Sequence, residues 1–198
     1  HRLVAHVLLD RLIGMYTFGD MTIYGLADKH AVDSSCAIYD FKKVHKHFQG
    51  TDVEPPNNPR SWDHCLIVVE TGGMRIVHWG DNRHNPPDDI WKALGHIDIA
   101  LLPVDASQHV MGHKHVQAIV DRLQPRIVVP HHYYIWDVVQ RQSTLQTCDD
   151  WVNEQDVVER IAGSKRIYRI EDMDKLEAAV HYFGDNVAFD KEAWMAGS

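Results

Sequence analysis

Apolar residues along this chain recur with two different periods, and the changes between them outline the secondary structure. Residues 2 to 13 carry Leu3, Val4, Val7, Leu8, Leu9, Leu12 and Ile13, a spacing that predicts a helix with one broad apolar face, ending before Gly14. "YTFGDMTIYGLADKH" follows and reads as strand, turn, strand about Gly19-Asp20. Residues 31–63 lose all periodicity and include "EPPNNP", so they are expected to form a long loop or insertion. "HCLIVVE" (64–70) and "MRIVHW" (74–79) predict a hairpin joined by Thr71-Gly72-Gly73. "NPPDDIWKALG" (85–95) predicts a helix with Asn85 as N-cap, Pro86 and Pro87 in its first turn, and Gly95 as its stop.

The continuous apolar run "IDIALLPVD" (97–105) is typical of a strand buried on both faces. An amphipathic helix at 113–123, "HKHVQAIVDRL", separates it from a second such strand, "PRIVVPHHYY" (125–134). A helix at 149–162, a short strand "KRIYRI" (165–170) and a polar tail at 171–198, ending as an edge helix or coil, complete the reading. Strand–helix–strand units after a hairpin imply an α/β fold with a partly parallel sheet.

Composition narrows the function classes. A 198-residue chain, 44% hydrophobic and 24% charged, suits one globular domain or part of a larger one. Its formal net charge of -8, with no stripe of Lys or Arg, argues against nucleic acid as a partner. No apolar run reaches the roughly 18 residues of a membrane span, so no membrane partner is expected. Cys36, Cys65 and Cys148 are too few and too scattered for a disulfide framework, which points to a reducing, cytoplasmic setting. The chain starts at His1 with neither an initiator methionine nor a signal peptide, so further sequence is expected before it.

Histidine is the unusual component, with 15 residues and no tag-like run. Three strands end in groups able to bind a metal: Asp81 after "RIVHWG", Asp105 after "ALLPV", and His131-His132 after "IVVP". In a layered α/β fold such ends gather on one rim, where ligands bind. His78 is expected to support a ligand or join the core, and His131 to point away from His132. His113 and His115 are expected at the surface, and the six dispersed Trp residues in packing.

The ordered series "GMRIVHWGDN", "LGHIDIALLPVD" and "RIVVPHHY" resembles the second half of the metallo-β-lactamase superfamily. Its nearest branch looks like the one that contains ascorbate-6-phosphate lactonase. The resemblance covers roughly residues 16 to 135 and implies a four-layer αβ/βα fold, incomplete at its N-terminus. The same resemblance makes Asp81 the carboxylate that bridges two divalent metal ions, and His132 a ligand of the second. It also implies a further histidine ligand, His30, with His45 and His47 as competitors. Zinc suits this His/Asp set, and manganese or iron would be accepted by it.

The family's H-x-H-x-D-H motif is absent from residues 1–198, and the expectation is that it lies upstream of His1. The implied activity is a metal-dependent hydrolase that directs a metal-bound hydroxide at a small-molecule ester, lactone or phosphodiester. Arg83 and His84, just after the bridging aspartate, are candidates to bind substrate, and His109 to assist proton transfer. The rival reading is a non-catalytic binding or assembly domain that keeps the fold. A missing half, or a second copy of the chain in a homo-oligomer, is expected to cover Leu66, Val68 and Ile76.

Overall fold

The computed structural model describes residues 13–31, 64–106, 110–135 and 143–186. The predicted helix at 2–13, nearly all of the 31–63 loop, and His45, His47 and His109 lie outside these residues.

Strands β1 (Gly14–Phe18) and β2 (Met21–Asp28) turn at Gly19-Asp20 as expected. β3 (His64–Thr71) and β4 (Met74–His78) form the second hairpin. After α1 (Asp88–Leu94) come β5 (Ile99–Pro103), α2 (His113–Leu123) and β6 (Ile127–His131). The remaining elements are α3 (Asp149–Asn153), β7 (Val158–Arg160), α4 (Ile170–Met173) and β8 (Ala179–Tyr182). All eight strands join one sheet in the order β1-β2-β3-β4-β5-β6-β8-β7. The hairpin half pairs antiparallel, and β4, β5, β6, β8 and β7 pair parallel. The fold is therefore the mixed α/β class expected.

One face of the sheet carries the main core. Leu66, Val68, Val77, Ala100, Leu102 and Val128 pack there against Leu94, Val116, Ile119, Trp151 and Val152 of the helices. Each fully buried Val, Leu or Ile contributes about 1.5–3 kcal/mol, so this face accounts for much of the stability. Leu66 and Val68 are covered completely within the chain itself, contrary to the expectation that a missing half or partner would cover them. The other face holds a small cluster of Met74, Ile99, Ile127 and Met173, flanked by half-buried Ile76, Leu101 and Val129.

Four local expectations are corrected. α1 begins at Asp88 with Pro87 in the cap position and no side-chain cap, so Asn85 lies outside the helix. Gly95 does end it, in a positive-φ conformation (φ +61) with its N–H donating to Trp91 O. The helix expected at 149–162 stops at Asn153, and residues 158–160 pair with β8 instead. "KRIYRI" is not a strand; Ile167 is 73% exposed and Ile170 starts α4. The place in the sheet goes to "AVHY" in the tail, because Val180, His181 and Tyr182 are buried on both faces between β6 and β7.

The topology fixes where the chemistry sits. β2 is antiparallel to β3 and β3 to β4, so β2 runs in the same direction as β4, β5 and β6. The C-terminal ends of all four strands therefore meet on one rim, where β3 also starts with His64.

Candidate metal centre

Asp81 stands at the middle of that rim. The chain leaves β4 through Trp79, whose ring is fully buried, and turns at Gly80 with φ +58, a conformation glycine accepts without strain. Asn82 holds this turn from inside: it is buried, and its amide donates to Trp79 O, Cys65 O (2.8 Å) and His64 Nδ1 (3.1 Å). Two backbone hydrogen bonds then tie the loop to the end of β2: Ala31 N–H to Asp81 O at 2.6 Å, and Arg83 N–H to Lys29 O at 3.1 Å. A bridge pairs His30 with Asn82 between them. His30 is thereby held beside Asp81 by the main chain.

The Asp81 carboxylate lies between two imidazoles. His30 Nε2 is 3.5 Å from Oδ2, and His132 Nε2 is 3.6 Å from Oδ1. The His30 ring is oriented by its other nitrogen, with Nδ1 2.8 Å from Ala31 O. A proton on Nδ1 serves that carbonyl, and with Nε2 also protonated the ring donates to the Asp81 carboxylate as well. His132 approaches from β6, where the chain leaves the strand in a left-handed conformation (φ +61). Its Nδ1 lies 3.4 Å from Oδ2 of Asp105, whose side chain is fully buried.

Charge follows this geometry. The hydrogen bond from His30, helped by the nearby His132, holds the Asp81 carboxyl down at about 2 against the opposing effect of burial. Asp81 is therefore ionised throughout the neutral range. His132 is pushed the other way: contact with Asp105, and then the charge of Asp81, raise its pKa although burial opposes them. His131 turns to the opposite side and stacks on the exposed His78, with ring centroids 4.7 Å apart. Burial, followed by the neighbouring His78 and His132, lowers it to about 4.

Known proteins can now be compared with this arrangement. A family model described as "beta-lactamase superfamily domain" matches residues 3–132, well over half of the chain. The chain belongs to the metallo-β-lactamase superfamily. A Thermococcus onnurineus protein named a UPF0173 metal-dependent hydrolase is 40% identical over 73 residues, covering 36% of this chain and 32% of that protein. A Methanosarcina mazei protein of the same name is 36% identical over 75 residues, with 38% and 32% covered. The match thus spans about a third of the length of these curated relatives. Among solved structures, a Thermotoga maritima protein described as a "putative zn-dependent hydrolase of the metallo-beta-lactamase superfamily" aligns with a TM-score of 0.58 at 21% identity. That alignment covers 88% of this chain and 70% of the other, and it supports the fold.

For this superfamily member, the structure brings Asp81, His132 and His30 together. Among the described residues, no group of three His, Cys, Asp or Glu forms a complete cage for one metal ion. Arg83 does not stand open to a substrate as expected. Its Nε and Nη2 reach Oδ1 of the buried Asp28 at 2.9 and 2.7 Å, which ties the Asp81 loop to β2. His84 stacks on His115 of α2 with ring centroids 3.8 Å apart, so both are half-buried packing partners on this side of the rim.

Sequence reasoning gave no role to His64, saw in Asn82 only a possible turn residue, and took Asp105 only as a metal-capable group at a strand end. His64 has Nδ1 3.0 Å from the Cys65 N–H and its ring 5.6 Å from His30. A polar first residue on an otherwise apolar strand was the one signal that could have flagged it.

Proposed function

We propose that this rim is one half of a two-metal hydrolytic site and that the chain works as part of a metal-dependent hydrolase. The observation that carries the reading is the bracketing of Asp81, one imidazole Nε2 alongside each carboxylate oxygen, at 3.5 and 3.6 Å. A carboxylate can span two divalent cations through its two oxygens, and a neutral imidazole beside each oxygen gives each cation a second donor. The residues present therefore fit the group in kind, and the remaining donors would have to come from outside the described residues. In this reading His30 and Asp81 would hold one cation, and Asp81 and His132 the other. Zinc is the first choice, with manganese or iron also accepted by such a set. Bound there, two metal ions would lower the pKa of a shared water and stabilise an oxyanion.

The chain's own residues have simpler tasks. Asp81 stays ionised because its pKa is near 2. The backbone bridge to Asn82 holds His30 beside Asp81. The substrate class expected from the motifs is a small-molecule ester, lactone or phosphodiester, as in the ascorbate-6-phosphate lactonase branch. His109 remains a candidate for proton transfer, and His84 for contact with substrate. The scattered cysteines fit action in the cytoplasm.

The test is a longer protein that includes the upstream segment. It is purified, its metal content is measured, and it is assayed against ester, lactone and phosphodiester substrates. Bound divalent metal, with turnover that disappears in Asp81→Ala, is expected. A longer protein that binds no metal, or one whose turnover survives Asp81→Ala, would overturn the reading in favour of a non-catalytic binding or assembly domain.

A further inference from the structure

We infer that Asp105 is a positioning residue for His132, a buried carboxylate that holds the ring by Nδ1 so that Nε2 faces Asp81. This rests on the reading of His132 as a ligand, though the ring geometry can be tested separately. The Asp105 side chain has no exposed surface, and its Oδ2 lies 3.4 Å from His132 Nδ1. The opposite nitrogen of the same ring is 3.6 Å from Asp81 Oδ1. The three side chains thus form a line of carboxylate, imidazole and carboxylate, with the imidazole engaged at both ends.

Burying a carboxylate is costly unless partners meet it, and His132 is one partner that does so here. The backbone supports the arrangement from both sides. Val104 N–H donates to His131 O at 2.9 Å, and Gln146 N–H donates to Asp105 O at 2.8 Å. These bonds hold the loop after β5 against the end of β6. His132 itself adopts φ +61, which costs a non-glycine residue about 1 kcal/mol or more and persists only where surrounding contacts impose it.

The chemical consequence concerns the tautomer. A neutral imidazole carries one proton and here has a carboxylate at each nitrogen. Asp105, at 3.4 Å and fully buried, is nearer and less solvated than Asp81 at 3.6 Å, so it draws the proton to Nδ1. Nε2 is then the nitrogen with the free lone pair, and it is the one on the Asp81 side. Carboxylates that fix metal-binding histidines in this manner typically change metal affinity 10- to 100-fold when removed. No sequence motif marked Asp105 for this task; only the fold places its carboxylate against the second nitrogen of His132.

The experiment uses the chain as it stands, without added metal. Histidine ring nitrogens are observed by long-range proton–nitrogen NMR in alkaline solution, and His132 is assigned by comparison with His132→Gln. The expected result is a neutral His132 protonated at Nδ1 in the wild type, shifting toward the Nε2–H form in Asp105→Asn and Asp105→Leu. A wild-type ring protonated at Nε2 would overturn the inference, and so would variants that keep the wild-type tautomer. If either variant fails to fold, the wild-type spectrum and the other variant still decide. A second readout is zinc affinity, expected to fall 10- to 100-fold in the variants, measured on the longer protein. Failure of the longer protein to bind zinc would remove the hydrolase reading, while the tautomer would still report on Asp105.

Discussion

Arg83 Nη2 lies 2.7 Å from Oδ1 of Asp28, and Nε of the same guanidinium lies 2.9 Å from that oxygen. Asp28 ends β2 with its side chain only 1% exposed, and Arg83 follows Asp81 by two residues. The pair therefore clamps the loop that carries the central carboxylate to the strand that leads into His30. Removing Arg83 leaves a buried carboxylate without this partner, a loss that in comparable pairs costs about 3–5 kcal/mol. Arg83→Ala is expected to lower unfolding stability by about 3 kcal/mol, and Arg83→Lys to recover only part of it. Urea unfolding of the three proteins checks this. An Arg83→Ala protein as stable as wild type would show that the clamp contributes nothing.

Asp81→Ala is expected to abolish divalent-metal binding by the longer protein at little cost to the fold. In the metal-free chain the loss should be about 1–2 kcal/mol, the scale of a turn carboxylate with imidazole neighbours. Equilibrium dialysis with zinc, set beside a thermal melt of the same samples, separates the two effects. Equal zinc binding by variant and wild type would remove Asp81 from the ligand set.

The pH dependence of stability should carry the signature of His131. Its pKa is about 4 in the folded chain, against 6.5 for an ordinary histidine, because burial and two neighbouring histidines disfavour the charged ring. As the pH falls through 6.5 the unfolded chain takes up this proton first. The contribution of His131 is therefore complete above about 6.5 and declines as the pH falls toward about 4, by up to 1.4 kcal/mol per pH unit. His132 acts oppositely, since its raised pKa gives stability that is lost as the pH rises through it. Unfolding curves of wild type and His131→Gln between about pH 4 and 7 isolate the first effect. The variant should show the shallower dependence, and parallel curves would contradict the assignment.

Gly80→Ala should disturb the rim directly. A Cβ at this position would stand 3.0 Å from Cε1 of His64, on a backbone at φ +58 that side chains rarely adopt. The left-handed conformation alone costs about 1–2 kcal/mol, and His64 would have to move as well. Lower stability together with a shifted His64 ring signal by NMR is expected. A variant with unchanged stability and an unchanged His64 signal would show that the turn tolerates a side chain.

Much of this fold is written locally. The apolar, strand-forming runs "MTIYGLAD", "HCLIVVE" and "IALLP" and the glycines between 71 and 74 are legible locally, because strand propensity and turn conformation are properties of a few adjacent residues. Helix α2 begins and ends where its amphipathic pattern does. The resemblance carried by "HWGD" and "PHHY" points to Asp81 and His132.

Tertiary structure decided what depends on pairs distant in sequence. "KRIYRI" has strand-forming residues, yet "AVHY" takes the place in the sheet, since burial between β6 and β7 outweighs local propensity. His30 stands by Asp81 through backbone hydrogen bonds made by residues about fifty positions apart, which no periodicity encodes. Arg83 reads from sequence as an exposed guanidinium near a site, and the fold brings a buried carboxylate to it. Asp105 reads as a strand end, and only the packing of the loop after β5 against β6 sets its carboxylate beside His132. The sequence alone determined which residue types reach the rim; the direction of four strands determined which of them face one another.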